Sequence, residues 1–377
     1  MKRVVVLGAG RVGGLIAREL AREPEIEVQA ADTRAEAADQ LKEAGVETVT
    51  ADLADPRALR AVVEGADVAV VAVPGALGPG VLETLVDAGV PAVDISFSPE
   101  DPGAFDAGAR AAGIPVVVDF GVAPGLSNLM VARSAADMDP VESVRILVGG
   151  LPLERDGVWD YRAVFSPADV IQEYVRPCRM RVDGADVTVP ALTDVEEVEF
   201  EGVGTLEAFN TDGLRTLLET IPARTMVEKT MRWPGHAAKA RALREAGFFD
   251  FEPVATTGGP VVPMVLAVRL LSHAWRLEEG EEEFTALRVE VAGTRGGRRA
   301  RDVWELLDRT DAETGATSMA RTTGFPAVEA AKLLLAGAVP PGVWPPERLP
   351  LEVVDRVLEA VRSRGVEIRR RMESPAG

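Results

Sequence analysis

Short apolar runs alternate with amphipathic stretches over the first 120 residues. Apolar runs such as "VVVL" (4–7) and "VAVVAV" (68–73) are continuous and rich in β-branched residues, which is typical of strands buried on both faces of a parallel sheet. The stretches between them carry apolar residues at helical spacing, and most end in glycine. This alternation predicts an α/β domain with a doubly wound parallel sheet of the Rossmann type. The six predicted strands are 4–7, 27–31, 46–50, 67–73, 92–95 and 115–120.

The pattern of apolar and polar positions changes after residue 122. Following a helix opened by "APGLSN", period-two alternation in runs such as "ESVRILVGG" and "TALRVEVAGT" predicts a second, strand-rich domain. The last 60 residues are helical again, with the proline-rich "VPPGVWPPERLP" as an extended connection. We expect this tail to pack back on the first domain. The predicted domains are therefore 1–122, an inserted α+β domain over 123–310, and C-terminal helices over 311–377.

Charge and apolar run length narrow the class of protein. Asp and Glu number 60 against 41 Lys and Arg, a net charge of −19, which argues against nucleic acid and anionic lipid as partners. No apolar run approaches the ~20 residues that cross a membrane, and the first residues enter a strand without a signal-peptide pattern. We therefore expect a cytoplasmic protein. The basic cluster "TRGGRRAR" (294–301) is interpreted as a solvated turn between a strand and a helix.

Cysteine and histidine are scarce. The single cysteine, Cys178, excludes intrachain disulfides and a cysteine-cluster metal site, and is interpreted as structural. With only two histidines, a histidine-rich metal centre is also excluded, although a site built from carboxylates stays open. His273 lies within an apolar helix and is interpreted as a core or helix-face residue. His236 follows a predicted strand and is a candidate for proton transfer or carboxylate binding, because imidazole titrates near neutrality.

A glycine motif follows the first strand. Gly8, Gly10 and Gly13 form G-x-G-x-x-G between strand and helix, and Asp32 stands 19 residues later at the end of the second strand. The carboxylate favours NAD over NADP, whereas Arg34 keeps NADP open as an alternative. Asp52 could meet the adenine or cap the next helix. The predicted cofactor-binding residues are Gly8, Gly10, Arg11, Val12, Gly13, Asp32, Thr33, Asp52, Val73, Pro74 and Gly75.

Polar residues follow the fifth and sixth strands, where ligands of open parallel sheets bind. Asp94 and Asp119 are candidates for holding a cationic substrate or moving a proton, and capping of the following turns is the alternative. The helix start at "PGLSN" could receive an anionic substrate group. The predicted catalytic residues are His236 and Asp94. The predicted substrate-binding residues are Ser96, Phe97, Asp119, Gly125, Asn128, Tyr161 and Thr211.

The sequence resembles the saccharopine dehydrogenase-like family over nearly its whole length, and within it the L-lysine 6-dehydrogenases in particular. The glycine motif is shared by many enzymes and discriminates little. The combination of "DFGVAPGLSN", "EAFNTDG" and "RWPGH" is far more specific, and "DISFSPED", "VFSPADVIQEYVRPC" and "ARTTGFPA" add to it. The resemblance implies a Rossmann domain completed by C-terminal helices, and an inserted domain for substrate binding and dimerisation. It also implies a homodimer.

The resemblance further implies an NAD-dependent oxidoreductase that acts on a carbon–nitrogen bond. The expected reaction is oxidative deamination of the ε-amine of L-lysine to the 6-semialdehyde, which cyclises to piperideine-6-carboxylate, with release of ammonia. A saccharopine-type or carboxyspermidine-type dehydrogenase acting on a secondary amine is the first alternative. A non-catalytic NAD-binding regulator is the second.

Overall fold

The computed structural model describes residues 1–35, 37, 41–98, 100–155 and 157–373. The chain divides into two compact units. The first comprises Met1–Arg133 and Ala320–Val366, and the second comprises Ser134–Met319 and the segment that begins at Glu367. Both units are therefore discontinuous in sequence. Their boundaries at 133/134 and 319/320 come somewhat later in the chain than positions 122 and 310, where the sequence pattern changes.

The first unit is a doubly wound parallel α/β domain, as the sequence predicts. Its described strands are β1 (Lys2–Leu7), β2 (Ile26–Asp32), β3 (Glu47–Thr50), β4 (Val68–Val71), β5 (Ala92–Asp94), β6 (Pro115–Val117) and β17 (Gly342–Trp344). They form one parallel sheet in the order β17-β6-β5-β4-β1-β2-β3. The strand order reverses between β1 and β4, so this is the edge at which a ligand is expected.

Helices connect these strands and cover the sheet. They are α1 (Arg11–Ala21), α2 (Pro56–Val63), α3 (Gly78–Ala88), α4 (Asp106–Ala112), α5 (Leu126–Ala135), α10 (Ser318–Leu335) and α11 (Leu351–Ser363). Helix α2 illustrates why they form. The Asp55 carboxylate accepts from the Arg57 amide at its start, and Leu59, Val62 and Val63 bury one face. The helix predicted over 34–45 lies partly outside the described residues, and its last part is a 3₁₀ turn, Lys42–Ala44.

The C-terminal segment adds more to the first unit than the predicted helices. The proline-rich connection contains β17, which pairs with β6 and becomes the seventh strand of the described sheet. A 3₁₀ turn, Pro346–Arg348, follows it. The expectation of a purely extended connection was therefore incomplete. The three residues between the prolines are enough to form a short strand at the edge of the sheet.

The second unit is built on a mixed sheet. Its described strands are β7 (Val141–Pro152), β8 (Cys178–Val182), β9 (Ala185–Val189), β10 (Glu196–Phe200), β11 (Gly204–Asn210), β12 (Thr225–Arg232), β15 (Glu283–Arg295), β16 (Arg298–Arg309) and β18 (Glu367–Glu373). The main order is β10-β11-β12-β7-β15-β16-β18, and β8 pairs with β12 and β9. Strands β7 and β12 are parallel, and the other pairs are antiparallel.

Four helices and a small hairpin complete this unit among the described residues. They are α6 (Pro167–Val175), α7 (Leu217–Thr220), α8 (His236–Glu245) and α9 (Pro263–Ala274), with the hairpin β13 (Val254–Thr256) and β14 (Gly259–Val261). The core of the unit is rich in large rings, including Tyr161, Tyr174, Phe209, Trp275 and Phe284. None of the helices in the described ranges combines the length and apolar character required to cross a membrane.

The basic cluster at 294–301 was predicted to lie between a strand and a helix, and this prediction was wrong. It is the turn of a hairpin between β15 and β16, and not a turn between a strand and a helix. Gly296 and Gly297 have φ of 57° and 77°, a left-handed conformation suited to a tight two-residue turn. Strands β16 and β18 were not predicted, because their charged residues interrupt the alternation of apolar and polar positions.

Candidate functional site

The glycine turn after β1 has a backbone that can approach a pyrophosphate closely. Gly8 has φ of 103°, and a Cβ there would lie 2.3 Å from the Ala72 carbonyl oxygen. A Cβ at Gly13 would lie 1.9 Å from the Gly8 carbonyl oxygen. Both positions therefore need glycine for the packing of the turn itself. At Gly10 nothing described lies within 4 Å of such a Cβ, so the missing side chain leaves open space beside the turn.

Helix α1 begins at this turn with no side-chain cap. Its N-cap residue is Gly10, its first turn includes Arg11 and Val12, and that turn contains no acidic residue. The aligned peptide dipoles therefore direct their positive end at whatever occupies the open space. An uncapped helix start beside an open backbone is what a dinucleotide pyrophosphate requires, so the residues present fit the predicted group.

Asp32 lies at the end of β2, beside the turn. Its carboxylate accepts from the backbone N–H of Ala9 and of Arg34, both at 2.9 Å, and the Arg34 side chain lies 3.3 Å away. Burial opposes ionisation of Asp32, but the hydrogen bonds from Arg34 and Ala9 outweigh it and lower the pKa of the carboxyl. Thr33 follows and is exposed. A fixed, ionised carboxylate is thus available where the ribose hydroxyls of a bound dinucleotide would lie.

The segment after β4 contains the remaining predicted cofactor residues. Val73 and Gly75 are buried, whereas Pro74 is exposed. Asp52 is exposed and accepts from the Ala54 amide in a local turn. The alternative interpretation of Asp52 as a helix cap is wrong, because Asp55 caps α2.

The end of β5 carries a buried carboxylate. Asp94 is 2% exposed and accepts from the Ser96 amide at 2.9 Å. The Ser96 hydroxyl is buried and has no hydrogen-bond partner among the described residues. It lies against Gly78, where a Cβ would approach it to 2.2 Å. Phe97 is half-buried beside them. The structure therefore places Asp94, Ser96 and Phe97 at one strand end, with the carboxylate held by the turn that follows.

The end of β6 is held by a link that the sequence did not reveal. Asp119 is buried with φ of 53°. The amide oxygen of Asn128 accepts from the Ser127 hydroxyl at 3.0 Å and from the Gly125 N–H at 3.3 Å, and its nitrogen donates to Glu347 at 2.9 Å. Both the oxygen and the nitrogen of the Asn128 amide therefore help to fix the turn at the start of α5. The only sequence signal for this link was that Glu347 is the single acidic residue in "PPERLP".

His236 is the first residue of α8 and is 1% exposed. Its Nε2 lies 2.9 Å from the Tyr174 hydroxyl and its Nδ1 lies 3.4 Å from the Trp159 carbonyl oxygen. Because a carbonyl only accepts, Nδ1 carries the proton and Nε2 accepts from Tyr174. Burial, reinforced by the positive charge of Arg232, lowers the pKa of His236 to about 3. The argument that this imidazole titrates near neutrality therefore does not hold.

His273 is exposed on α9, which agrees with the helix-face interpretation. The described residues contain no group of three or more His, Cys, Asp or Glu side chains that could hold a metal ion.

Arg232, at the end of β12, is a buried cation that sequence reasoning missed. It is 2% exposed, donates to the Glu173 carboxylate at 2.8 Å, and places its guanidinium 4.7 Å from the centre of the Tyr161 ring. Tyr161 in turn packs edge-on against Trp275, with ring centroids 5.2 Å apart. Burial raises the pKa of Glu173 although Arg232 opposes the shift. We call Arg232, Tyr161 and Trp275 the arginine–aromatic cluster.

Thr211 is held by a second buried carboxylate. Its hydroxyl donates to Glu228 at 2.7 Å, and Glu228 also accepts from the Gly213 amide at 3.0 Å. Burial raises the pKa of Glu228 to about 8. Cys178 is buried nearby, and burial first and the charge of Glu228 second raise the pKa of its thiol to about 12. Thr211 therefore has a structural partner, and Cys178 agrees with its structural interpretation.

Helix α8 does not offer an open anion site in the way that α1 does. The Glu207 carboxylate accepts from the amides of Gly235 and Ala237 at its start, at 2.8 and 2.5 Å. An internal carboxylate thus already occupies the positive end of the helix dipole.

The doubly wound sheet and its glycine turn define the first unit as a dinucleotide-binding domain. Two family models match the chain: residues 4–117 match the saccharopine dehydrogenase NADP binding domain and residues 121–366 match the saccharopine dehydrogenase C-terminal domain. The chain therefore belongs to the saccharopine dehydrogenase family of oxidoreductases, which confirms the resemblance.

Similar proteins agree with this assignment. The chain is 25% identical over 266 residues to the mitochondrial alpha-aminoadipic semialdehyde synthase of Rattus norvegicus, covering 67% of this chain and 29% of that protein. It is 26% identical over 262 residues to the Arabidopsis thaliana alpha-aminoadipic semialdehyde synthase, covering 64% and 24% respectively. The chain thus spans less than a third of the length of these relatives.

A solved structure shares the fold. The apo saccharopine dehydrogenase (L-Glu forming) of Saccharomyces cerevisiae superposes with a TM-score of 0.80 at 20% identity, covering 99% of this chain and all of that one.

Proposed function

We propose that this protein uses NAD to oxidise the ε-amine of L-lysine to the 6-semialdehyde, which cyclises to piperideine-6-carboxylate, with release of ammonia. Family membership supports an oxidoreductase acting on an amino acid. The motif combination of "DFGVAPGLSN", "EAFNTDG" and "RWPGH" supports the lysine substrate. In the proposed reaction NAD takes one hydride, water supplies the aldehyde oxygen, and nitrogen leaves as ammonia.

The observation that carries the NAD preference is the Asp32 carboxylate at the end of β2. It is anchored by two backbone amides and its pKa is lowered, so it is ionised at neutral pH. Such a carboxylate accepts from ribose hydroxyls and repels a 2′-phosphate. The neighbouring Arg34 already pairs with Asp32, which reduces its availability for a phosphate. A cofactor comparison is decisive here, because the matching family model is named for NADP.

The proposed reaction requires the protein to remove a proton from the substrate and to hold the reacting groups in place. The residues of the glycine turn and Asp32 would hold the dinucleotide, and its oxidised nicotinamide would supply the hydride acceptor. The ε-ammonium must first lose a proton, and we assign this step to Asp94, a buried carboxylate at a strand end of the cofactor-binding unit. His236 is assigned to positioning, because both of its ring nitrogens have partners and its pKa lies far below neutrality.

A secondary-amine substrate is the second candidate. The two matching family models are named for saccharopine dehydrogenase, and oxidation of a secondary amine needs the same hydride acceptor. A substrate of that kind carries extra carboxylates, which require additional positive charge at the site.

Reduced-cofactor absorbance with purified protein tests both candidates. NAD and NADP are each offered with L-lysine, saccharopine and carboxyspermidine, and ammonia is measured in parallel. We expect NADH and ammonia with lysine. NADH from saccharopine alone would replace the first candidate by the second. Binding of NAD without turnover of any amine would establish the regulator that the sequence left open.

A pair of matched variants tests Asp94. Asp94→Asn should lower kcat about 100-fold or more while NAD still binds. Asp101→Asn is the control, because Asp101 also accepts from an amide two residues later, at 2.8 Å, but caps a surface 3₁₀ turn. Equal activity of both variants and the wild type would remove Asp94 from the mechanism.

A further inference from the structure

Exposed apolar side chains are concentrated in one segment of the second unit. Six of them lie between residues 251 and 270, and each is at least a third exposed. They are Phe251, Val254, Val261, Val265, Leu266 and Leu270. We call these six residues the α9 face, because helix α9 contributes three of them. Single exposed apolar side chains are normal on protein surfaces, whereas a contiguous group marks an interaction site.

Helix α9 is apolar on two opposite sides. One side packs into the core of the unit through Met264, Ala267 and Leu271. The other side carries Val265, Leu266 and Leu270, and helical spacing places these three together. Val265 is 67% exposed and Leu270 is 57% exposed. Because a helix that is apolar all round is typical of a buried element, the exposed side of α9 is suited to a covering partner.

The hairpin before α9 extends this surface. Among the described residues β13 and β14 pair only with each other, and Val254 lies directly opposite Val261 in that pairing. The Met264 amide donates to the Asp250 carbonyl oxygen at 3.0 Å, which holds the segment of Phe251 beside the start of α9. A two-stranded hairpin alone is marginally stable in water. Contact with another surface would therefore stabilise the hairpin as well as cover the helix.

The size of the α9 face matches the apolar part of a protein–protein interface. At their fractional exposures, the six residues present on the order of 500 Å² of apolar surface. Each partner of a standard interface buries about 800 Å², and roughly 65% of a homodimer interface is apolar. The apolar share expected for each partner is thus also about 500 Å².

Charged residues beside the α9 face indicate which partner fits it. Asp250 and Glu252 are exposed near the start of α9. Arg269 and His273 are exposed further along the helix, four and eight residues after Val265 and therefore on the same side. The face thus has acidic residues towards one end and basic residues towards the other. When two copies meet with antiparallel α9 helices, the acidic end of each lies against the basic end of the other.

We propose that the α9 face binds the same face of a second copy of this chain, in a two-fold dimer with antiparallel α9 helices. Leu266 and Leu270 lie in the apolar centre of the interface, and Glu252 of each copy pairs with Arg269 of the other. The family resemblance implies a homodimer but locates no interface, whereas exposure, area and charge locate this one. The inference concerns a surface of the second unit and is independent of the proposed reaction.

Leu270→Asp tests the surface. Light scattering after gel filtration should give twice the chain mass of 40.0 kDa for the wild type. The variant should bind its own copy about 100-fold more weakly, because each dimer would bury two unpaired carboxylates. Leu351→Asp is the matched control and should remain dimeric. Leu351 is 43% exposed but begins α11 in the first unit, where a carboxylate is favourable.

A charge exchange tests the antiparallel arrangement. Glu252→Arg and Arg269→Glu each place like charges opposite each other at both ends of the dimer, so each variant should dimerise about tenfold more weakly. When the two variants are mixed in equal amounts, they should form a heterodimer as readily as the wild type dimerises, because both pairs then join opposite charges. Recovery on mixing also shows that both variants are folded.

Three results would overturn this proposal. A wild-type protein that is monomeric at high concentration forms no such dimer. A Leu270→Asp variant that is as dimeric as the wild type places the interface elsewhere. Charge variants that weaken dimerisation but do not recover on mixing exclude the antiparallel pairing of Glu252 with Arg269.

Discussion

Glu228 should make the second unit less stable as the pH rises. In the folded protein burial raises the pKa of this carboxyl from 4.5 to about 8, while hydrogen bonds from Thr211 and Gly213 only partly oppose the shift. An unfolded chain ionises Glu228 above its ordinary pKa, whereas the folded chain keeps it protonated until about pH 8. The unfolded state therefore gains stability between these two pKa values, and the free energy of unfolding falls across that window.

Glu228→Gln should remove this penalty. The amide oxygen can accept from Thr211 and Gly213 as the carboxyl does, and the amide does not ionise. At one pKa unit per 1.36 kcal/mol, the full penalty is on the order of 5 kcal/mol above pH 8 and disappears below about pH 4.5. The variant should thus resemble the wild type at pH 5 and be clearly more stable at pH 9.

Urea unfolding followed by tryptophan fluorescence measures this difference, because four of the five tryptophans belong to the second unit. Glu207→Gln serves as the control. It also neutralises a buried carboxylate, but one that holds the positive end of α8, so it should destabilise at both pH values. A Glu228→Gln variant whose gain is the same at pH 5 and pH 9 would refute the linkage argument.

Further predictions concern the cofactor turn and the buried thiol. Gly10→Ala should keep the wild-type unfolding temperature but weaken NAD binding about tenfold, whereas Gly13→Ala should lower the unfolding temperature; thermal unfolding and cofactor titration distinguish the two. Asp32→Ala should move the ratio of kcat/KM for NADP to that for NAD at least tenfold towards NADP, at a cost of about 1 kcal/mol from lost hydrogen bonds. Unchanged discrimination would show that this carboxylate does not select the cofactor. Cys178 should resist thiol reagents in the native protein and react once urea unfolds it, since burial raises its pKa to about 12; rapid native labelling would contradict its burial.

The parallel sheet could be predicted because its signals are local. Each buried strand is a short β-branched run, and the glycine turn and Asp32 stand at fixed distances from the first of them. The second unit was predicted in outline only. Strand β16, "RRARDVWELLDR", contains charged residues that form ion pairs with the neighbouring strand, such as Glu305 with Arg288. Its apolar and polar residues therefore do not alternate regularly.

Site residues could be predicted where they belong to one continuous segment. Contacts between residues far apart in the sequence could not be predicted. Asn128 was found from its motif, but its partner Glu347 lies 219 residues away. Arg232 and Glu173 are separated by 59 residues and have no shared pattern. The pKa of His236 is set by burial, which the spacing of "RWPGH" does not reveal.

The late strands β17 and β18 have a consequence for synthesis of the protein. Strand β17 covers the edge of β6 in the first sheet, and β18 covers the edge of β16 in the second. Until both have left the ribosome, the growing chain presents two sheet edges with unpaired amides and carbonyls. Such edges can pair with other chains. A chain stopped before Gly342 lacks both strands and should be a strong client for chaperones.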